Sequence, residues 1–271
     1  MICTDHSISK EDFALSICNK CGLIFTNPRP SPEALPRYYQ SDNYISHTSK
    51  ATNLVNLLYK FVRFYTTKKK IQLIRKYTST CSLLDYGCGT GYFLQFAVRK
   101  GYTASGYEPN QDARSIVAGK GLNSFDSLSD IKSKVGIISA WHVLEHVSDL
   151  RKTLKKLCKL LEKDGFMFIA VPNINSFDAK HYGTHWAGLD VPRHLYHFTQ
   201  NSIGTLFEKQ KLKLVATEPM YFDSYYVSLL SEKYLSGRSN FVKALRTGYK
   251  SNKLASKTKE YSSMIYIVQK Q

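Results

Sequence analysis

The sequence predicts an α/β fold in which helices cover both faces of a mostly parallel sheet. Segments typical of buried strands alternate with segments typical of amphipathic helices from about residue 81 to the end of the 271 residues. The hydrophobic content of 43% is enough for a large buried core, which excludes a chain that is disordered throughout. This alternation produces right-handed strand–helix–strand units, whose strands are parallel.

The chain before the alternating region is expected to be less regular. Residues 1–50 include the proline-rich stretch NPRPSPEALPRYY and are predicted to form a small irregular N-terminal segment. Apolar residues at helical spacing between residues 53 and 77 predict one or two helices. We therefore expect an N-terminal segment over residues 1–50 and a main domain over residues 51–271.

Five strands and three helices are predicted in the first half of the main domain. The strands are CSLLDYG, TASGYE, GLNSF, VGIISAW and FMFIAVPN, and the helices are YFLQFAVRKG, NQDARSIVAGKG and DLRKTLKKLCKLLEKDG. The first two helices end at glycine, which readily takes the left-handed conformation that terminates a helix. In the third helix the leucines recur at helical spacing, so its lysines are expected on the solvent face.

The second half of the main domain adds a helix and two strands. TQNSIGTLFEKQ is predicted as a helix with Thr199 as its N-cap, and KLKLVATE and SSMIYIVQK are predicted as strands. Two longer segments, residues 172–198 and 220–260, interrupt the alternation. Ligands of open α/β sheets bind beyond the carboxyl ends of the strands, so we expect these two insertions to cover a substrate.

The stretch LLDYGCGTGYFL joins the first strand of the main domain to its first helix. Gly87, Gly89 and Gly91 have the spacing G-x-G-x-G, whereas the dinucleotide fingerprint has G-x-G-x-x-G. A phosphate-binding P-loop would end in G-K-[ST], which does not follow these glycines. Asp85 precedes them, and its carboxylate would repel a pyrophosphate but would accept the ammonium group of an amino acid.

A second acidic residue is expected at the end of the following strand. Glu108 lies where related nucleotide-binding folds place the carboxylate that binds ribose hydroxyls, about 20 residues after the glycines. A ligand with an amino acid at one end and a nucleoside at the other satisfies both Asp85 and Glu108. S-adenosylmethionine is such a ligand, and we predict it as the cofactor.

The chain resembles class I S-adenosylmethionine-dependent methyltransferases, and within them the subgroup related to ubiquinone-biosynthesis methyltransferases. The resemblance covers about residues 18–210 and rests on LLDYGCGTGYFL, GYEPN, WHVLEHVSDL, AVPN and DVPRHLYHFT. It implies a Rossmann-like sheet of seven strands whose last strand is antiparallel. It also implies that Asp85 and the three glycines line the methionine moiety and that Glu108 binds the ribose. Asp126 is then expected near the adenine, and Trp141 at the methionine end.

The resemblance also implies a metal site. Related quinone-pathway O-methyltransferases carry E-V-L-E-H, whose two acids and histidine hold a divalent metal, where this chain has HVLEH. Here His142 replaces the first acid, while Glu145 and His146 are kept. If residues 142–146 form a helical turn, the three side chains share one face, and two imidazoles favour zinc, iron or manganese over magnesium. The alternative is that His142 and His146 act in acid–base chemistry or in packing.

His194, in DVPRHLYHF, is a candidate general base. Methyl transfer from a sulfonium is an in-line displacement that depends chiefly on positioning. A hydroxyl acceptor must also lose its proton, and an imidazole suits that task at neutral pH. The alternative is that His194 only holds the insertion in place by hydrogen bonding.

Related sequences also carry a small N-terminal zinc ribbon with two C-x-x-C pairs before an NPRP segment. This chain keeps Cys18 and Cys21 of the second pair. Cys3 and His6 have a spacing that can replace the first pair and complete four zinc ligands. The favoured interpretation is a truncated ribbon without metal.

Composition bounds the remaining alternatives. The formal net charge of +17 is compatible with nucleic acid, a membrane surface or an anionic substrate. The sequence has no arginine-rich arm, no apolar run long enough to span a bilayer and no visible signal peptide. Its six cysteines lack disulfide spacing, so a cytoplasmic location is expected.

These observations together predict a methyltransferase whose acceptor is a small molecule, with the hydroxyl of a metabolite or sugar derivative as the leading class. An RNA methyltransferase or a non-catalytic RNA-binding module remains an alternative that the basic charge permits but does not favour. A zinc peptidase is a remote alternative, because HVLEH matches H-x-x-E-H but directly follows a predicted strand.

Overall fold

The structure, a computed structural model, describes residues 1–31, 33–39 and 54–271, apart from the side chains of residues 54–59. The strands are β1 (Ile2–Thr4), β2 (Asp12–Ile17), β3 (Ile24–Thr26), β4 (Ser82–Tyr86), β5 (Thr103–Tyr107), β6 (Ser124–Phe125), β7 (Val135–Trp141), β8 (Leu161–Pro172), β9 (Tyr196–His197), β10 (Leu212–Pro219) and β11 (Ser263–Lys270). The α-helices are α1 (Leu54–Tyr77), α2 (Tyr92–Arg99), α3 (Gln111–Gly119), α4 (Leu150–Leu160), α5 (Phe177–Tyr182), α6 (Gln200–Glu208), α7 (Asp223–Ser236) and α8 (Phe241–Thr258).

The central sheet has seven strands in the order β10-β11-β8-β7-β4-β5-β6. The pairs from β8 to β6 are parallel, whereas β11 is antiparallel to both β8 and β10. The predicted Rossmann-like sheet, mostly parallel with an antiparallel last strand, is therefore confirmed. The chain order reverses at β4, whose neighbours are β5 and β7, so the carboxyl end of β4 opens into the crevice where such sheets bind ligands.

Apolar side chains on both faces explain why these strands form the centre of the molecule. Every residue of β7 is buried except Trp141, which is half-buried. Strands covered by helices on both faces require such runs. Helix α4 packs Leu150, Leu154 and Leu157 against the sheet while its lysines stay exposed, as predicted.

Helix α4 is shorter than predicted. It ends at Leu160, and residues 161–165 belong to β8. Leu161 is fully buried opposite Val135, and the register shifts between this pair and the rest of the ladder. Strand pairing at the edge of the core thus overrides the helical preference of LEKDG.

A second sheet, in the order β1-β2-β3-β9, corrects the prediction of an irregular N-terminal segment. Residues 2–26 form three antiparallel strands, and β9 joins them from the insertion at residues 172–198. The strand β2 alternates buried and less buried residues, with Phe13 and Leu15 inward. Residues 40–53, which include the rest of the expected irregular segment and the predicted helix start, lie outside the described residues.

The four candidate zinc ligands are not brought together in this sheet. Cys3 pairs with Phe13, and Cys18 lies five residues further along the chain, a separation of about 16 Å along a strand. Cys3 is buried in an apolar cluster with Phe13, while His6 lies against the ring of His185. Cys3 and His6 therefore do not complete one set of ligands with Cys18 and Cys21 in this arrangement.

The two insertions fold against each other around one buried carboxylate. Asp178, at the start of α5, accepts hydrogen bonds from Trp186 Nε1 at 2.8 Å and from Ser251 Oγ of α8 at 2.6 Å. Ser262 Oγ, just before β11, donates to the same carboxylate at 2.7 Å. Three parts of the chain are thereby tied to one side chain.

Arg193 ties the N-terminal sheet to the first insertion. Its Nη2 lies 2.9 Å from Asp5 Oδ1 and 2.7 Å from Asp190 Oδ1. Its Nη1 donates to the carbonyl of Tyr38 at 2.9 Å. We call the N-terminal sheet, residues 173–198 and the helices α7 and α8 together the cap.

Across the described ranges, no helix combines the length and the apolar character that a membrane span needs.

Candidate active site

The glycine loop connects β4 to α2 at the point where the strand order reverses. Gly87, Gly89 and Gly91 have φ angles of 75°, 52° and 74°, a region of backbone conformation that residues other than glycine rarely adopt. A Cβ on Gly87 would lie 2.5 Å from Cγ2 of Val143. Glycine is therefore required at this position both by the backbone angle and by the close approach of the residue after His142.

Three acidic side chains stand at the carboxyl ends of β4, β5 and β6, as the sequence predicted. They are Asp85, Glu108 and Asp126. Glu108 accepts a hydrogen bond from the backbone N–H of Gly89 at 2.9 Å and from that of Asn110 at 3.0 Å. These two bonds fix its carboxylate beside the glycine loop. Asp126 is exposed in the turn after β6.

Asp85 is the most buried of the three acids, with 2% of its surface exposed. Ser139 Oγ donates to its Oδ1 at 2.7 Å. Burial raises the pKa of Asp85 to about 7, against the opposing effects of Ser139 and of the nearby Lys70. A cationic group bound beside this carboxylate would favour its ionised form.

Helix α1 places two cations over the same edge of the sheet, and the sequence analysis did not assign them to the site. Lys70 Nζ lies 4.3 Å from the ring centre of Trp141, and the guanidinium carbon of Arg63 lies 3.7 Å from the ring centre of Tyr92. Burial lowers the pKa of Lys70, while Asp223 and Asp85 both favour its charged form. A spacing of seven residues on a helix puts Arg63 and Lys70 on one face, which is the signal that could have found them.

Trp141 ends β7 beside the glycine loop. Phe93 packs edge-on against its ring at 5.4 Å. Its Nε1 is buried and has no hydrogen-bond partner within the described part of the chain, and such a donor normally has one. These groups match the chemistry of S-adenosylmethionine. Asp85 can accept from its ammonium group and Glu108 from its ribose hydroxyls. The two cations of α1 and the Nε1–H of Trp141 can interact with its carboxylate.

His142 does not lie on a helical turn with Glu145 and His146, contrary to the condition set for the predicted metal site. Its φ is 57°, and only residues 144–146 form a short 3-10 helix. The left-handed residue also interrupts the sustained helix that the zinc-peptidase motif requires.

His142 instead bridges two carboxylates. Its Nε2 lies 3.0 Å from Asp223 Oδ2, and its Nδ1 lies 3.3 Å from Glu145 Oε1. Burial disfavours the imidazolium, but Asp223 and Glu145 outweigh it and raise the pKa of His142 to about 9. At neutral pH this side chain is therefore cationic, and it can accept a proton only after losing one. No motif identified Asp223, which comes from the 220–260 insertion.

Glu145, His146 and His194 form the cluster that we call the carboxylate–histidine cluster. One ligand atom from each lies within 4.8 Å of the others. Glu145 has no exposed surface, and neither of its carboxylate oxygens has an aligned hydrogen bond from the described residues, although His142 Nδ1 lies close to one. A buried carboxylate without such bonds is costly unless a cation or a proton donor compensates it.

Both imidazoles of the cluster are oriented by backbone carbonyls. His146 Nδ1 lies 3.1 Å from the carbonyl of Arg193, and His194 Nδ1 lies 2.9 Å from that of Gly188. With Nδ1–H donating to these oxygens, each Nε2 keeps its lone pair. Burial and the neighbouring His194 lower the pKa of His146 to about 4. The structure thus brings predicted His194 to predicted Glu145 and His146, a proximity that depends on the path of the insertion.

Residues 55–217 match a family model described as a methyltransferase domain. A ubiquinone biosynthesis O-methyltransferase of Rhodopseudomonas palustris is 28% identical over 149 residues, which are 50% of this chain and 59% of that protein. The C-methyltransferase NovU of Streptomyces niveus is 22% identical over 214 residues, which are 73% of this chain and 46% of that protein. The chain spans about half the length of the curated relatives that it matches.

Solved structures share the fold. A magnesium protoporphyrin IX methyltransferase from Synechocystis, solved with bound SAM, aligns with a TM-score of 0.55 at 12% identity over 91% of this chain and 100% of that chain. The [4+2]-cyclase SpnF aligns with a TM-score of 0.51 at 14% identity over 74% of this chain and 80% of that chain. The same scaffold therefore carries more than one chemistry.

Proposed function

Because the chain belongs to the methyltransferase-domain family, we propose that it transfers a methyl group from S-adenosylmethionine to a small-molecule acceptor. The hydroxyl of a metabolite or sugar derivative is the leading class of acceptor. One observation carries this proposal: the acids beside the glycine loop and the carboxylate–histidine cluster lie along the same carboxyl edge of the sheet. This arrangement supports a donor site and an acceptor site that adjoin each other.

The donor would be held by the residues at the ends of β4 to β7. Asp85 would receive its ammonium group, and Glu108 its ribose hydroxyls. Lys70 and Arg63 on α1 supply positive charge for its carboxylate. Asp126 would lie on the adenine side of the donor, and Trp141 on its methionine side.

The transfer itself would be an in-line displacement. The acceptor oxygen forms a bond to the methyl carbon, the bond from carbon to sulfur breaks, and its electron pair stays on the sulfur, which becomes a neutral thioether. We assign the acceptor proton to Nε2 of His194, whose Nδ1–H is held by the carbonyl of Gly188. The buried carboxylate of Glu145 would stabilise the resulting imidazolium.

The same cluster supports a second candidate, a divalent metal held by Glu145, His146 and His194. Two imidazole lone pairs and a carboxylate are a ligand set of zinc or another transition metal, and the carbonyls on each Nδ1 are the outer partners that such ligands usually have. This set replaces predicted His142, which is bound to Asp223 instead. A bound metal would lower the pKa of an acceptor hydroxyl.

Metal content and turnover separate the two candidates. The protein is dialysed against chelator, its metal content is measured, and its thermal unfolding is compared with and without added zinc or manganese. A metal that raises the melting temperature of wild type but not of Glu145→Gln supports the metal site. Full turnover in metal-free protein leaves His194 as the base.

The acceptor class is tested with isotope-labelled donor. Purified protein is incubated with small-molecule extracts and, separately, with bulk RNA, and the labelled products are identified. Label in a small molecule supports the proposal. Label in RNA alone would make the protein an RNA methyltransferase instead.

A further inference from the structure

We propose that the outer face of α8 is a membrane-contact surface, through which the protein binds an anionic lipid bilayer without crossing it. This inference goes beyond the proposed reaction. We define the α8 face by the exposed residues Val242, Leu245, Arg246, Tyr249, Lys250, Lys253 and Lys257.

The rotation of α8 is fixed by small residues on its inner face. The buried residues are Ala244, Thr247, Gly248, Ser251 and Ala255. A Cβ on Gly248 would lie 2.6 Å from Cδ1 and 2.9 Å from Cα of Tyr225 on α7. Ser251 Oγ also donates to Asp178 at 2.6 Å. The large side chains of α8 therefore cannot turn inward without breaking these contacts.

The outer side of α8 carries large apolar residues where a helix of a water-soluble domain normally carries polar ones. Val242 is 77% exposed, Leu245 58% and Tyr249 60%. Their spacing of three and four residues places them in one stripe. Phe241, 51% exposed, extends the apolar surface at the start of the helix. A contiguous apolar surface of this kind marks an interaction site rather than a solvent face.

The positive charge around α8 indicates that the partner of this surface is anionic. Residues 233–259 contain eight lysines and arginines and neither aspartate nor glutamate. Arg246, Lys250, Lys253 and Lys257 are spaced by three or four residues and form a stripe beside the apolar one. Their aliphatic stems can lie along the hydrocarbon boundary while the charges reach anionic headgroups.

This combination is the pattern of helices that lie in the plane of a bilayer surface. Helix α4 provides the contrast within the same chain. It is equally free of acidic residues and has exposed lysines, but its large apolar residues, Leu150, Leu154 and Leu157, are buried. Of these two helices, α8 is the one that joins an exposed apolar stripe to the positive charge, so α8 rather than α4 is assigned to the membrane.

Co-sedimentation of the whole 271-residue chain with lipid vesicles tests the proposal. We expect binding to phosphatidylcholine vesicles containing about one third phosphatidylglycerol, and binding at least about tenfold weaker to phosphatidylcholine alone. Val242→Asp combined with Leu245→Asp should weaken binding to the anionic vesicles about tenfold or more. The double variant Lys250→Gln and Lys253→Gln should weaken binding to the anionic vesicles roughly fivefold or more. The control is the double variant Lys155→Gln and Lys156→Gln on α4, which removes the same charge and should change this binding less than about twofold. Unchanged thermal unfolding of each variant shows that its fold is intact.

Several outcomes would overturn the proposal. One is that wild type does not bind anionic vesicles. Another is that the two lysine pairs weaken binding equally, since charge alone would then explain it. If the aspartate variant changes only the oligomeric state, the face is a contact between copies of this chain. If wild type does not bind vesicles, and the double variant Lys250→Gln and Lys253→Gln loses a salt-sensitive binding to RNA that wild type shows, the α8 face is a nucleic-acid-binding surface.

Discussion

Asp85 sets the pH dependence that we expect for donor binding. Burial raises its pKa to about 7, and only the ionised carboxylate pairs with the ammonium of the donor. The dissociation constant for S-adenosylmethionine should therefore fall as the pH rises from about 5.5 to about 7, and the fall should end where the α-amino group of the donor, with a pKa of about 7.7–8.0, begins to lose its proton. Calorimetry across this range measures it.

A matched pair of variants checks the assignment. Asp85→Asn should abolish the pH dependence and weaken binding, while the exposed acid in Asp126→Asn should leave the pH dependence in place. A flat profile for wild type would remove Asp85 from ammonium binding.

Glu108 is expected to contribute to donor affinity through its two fixed oxygens. Glu108→Ala should weaken S-adenosylmethionine binding by about 1–3 kcal/mol, the range for a lost charged hydrogen-bond partner. The variant also leaves the N–H of Gly89 without its acceptor. Asp112→Ala, on the exposed face of α3, is the control. Calorimetry is also carried out with NAD, because binding of NAD in place of S-adenosylmethionine would contradict the assignment of Glu108 to an S-adenosylmethionine site.

His194 is expected to affect turnover and not donor affinity. His194→Ala should lower turnover by roughly 10²- to 10⁴-fold if this side chain is the general base. Donor affinity, measured separately, should stay the same. His181→Ala is the control, because His181 belongs to the same insertion and is exposed. Unchanged turnover in His194→Ala would limit this residue to packing.

At the scale of elements, the glycine loop offers a test of two different kinds of constraint. Gly87→Ala combines a positive φ with a Cβ 2.5 Å from Val143, whereas the space around Gly89 is open. Left-handed backbone alone costs about 1–2 kcal/mol for alanine, and forced overpacking adds about 1–3 kcal/mol. Urea unfolding should thus show a larger loss of stability for Gly87→Ala than for Gly89→Ala. Equal losses would mean that Val143 moves away freely.

Elements with a local signal were predictable, and those completed by distant partners were not. The sequence shows the apolar runs of β4, β7 and β8 and the helix N-cap residue Thr199, since each of these signals depends on neighbouring residues. The strand β9 has two residues and exists because β3 pairs with it. The contact of Asp223 with His142 likewise depends on how an insertion folds back, which no local pattern encodes.

At the scale of the whole molecule, Arg193 is expected to hold the cap together. It is 3% exposed, and its loss would leave the carboxylate of Asp5, which is 1% exposed, without its ion pair. Breaking a buried ion pair costs about 3–5 kcal/mol. Arg193→Ala should therefore raise hydrogen exchange in residues 1–26 well above exchange in β7 and β8.

Arg37→Ala provides the comparison, because its ion pair with Glu11 joins side chains that are 60% and 45% exposed. Exposed pairs contribute little, so exchange in the N-terminal sheet should change little. Similar exchange in both arginine variants would show that the N-terminal sheet does not depend on Arg193.

The pairing of β3 with β9 joins Phe25 to Tyr196 and Ile24 to His197. A ribosome makes the first three strands early, but their fourth partner only after some 170 further residues, which takes roughly ten to thirty seconds at about 5–20 residues per second. Throughout that interval the edge of β3 faces the nascent chain and solvent instead of its native neighbour. This sheet is thus begun early and completed late, and its open edge is exposed to mispairing during synthesis.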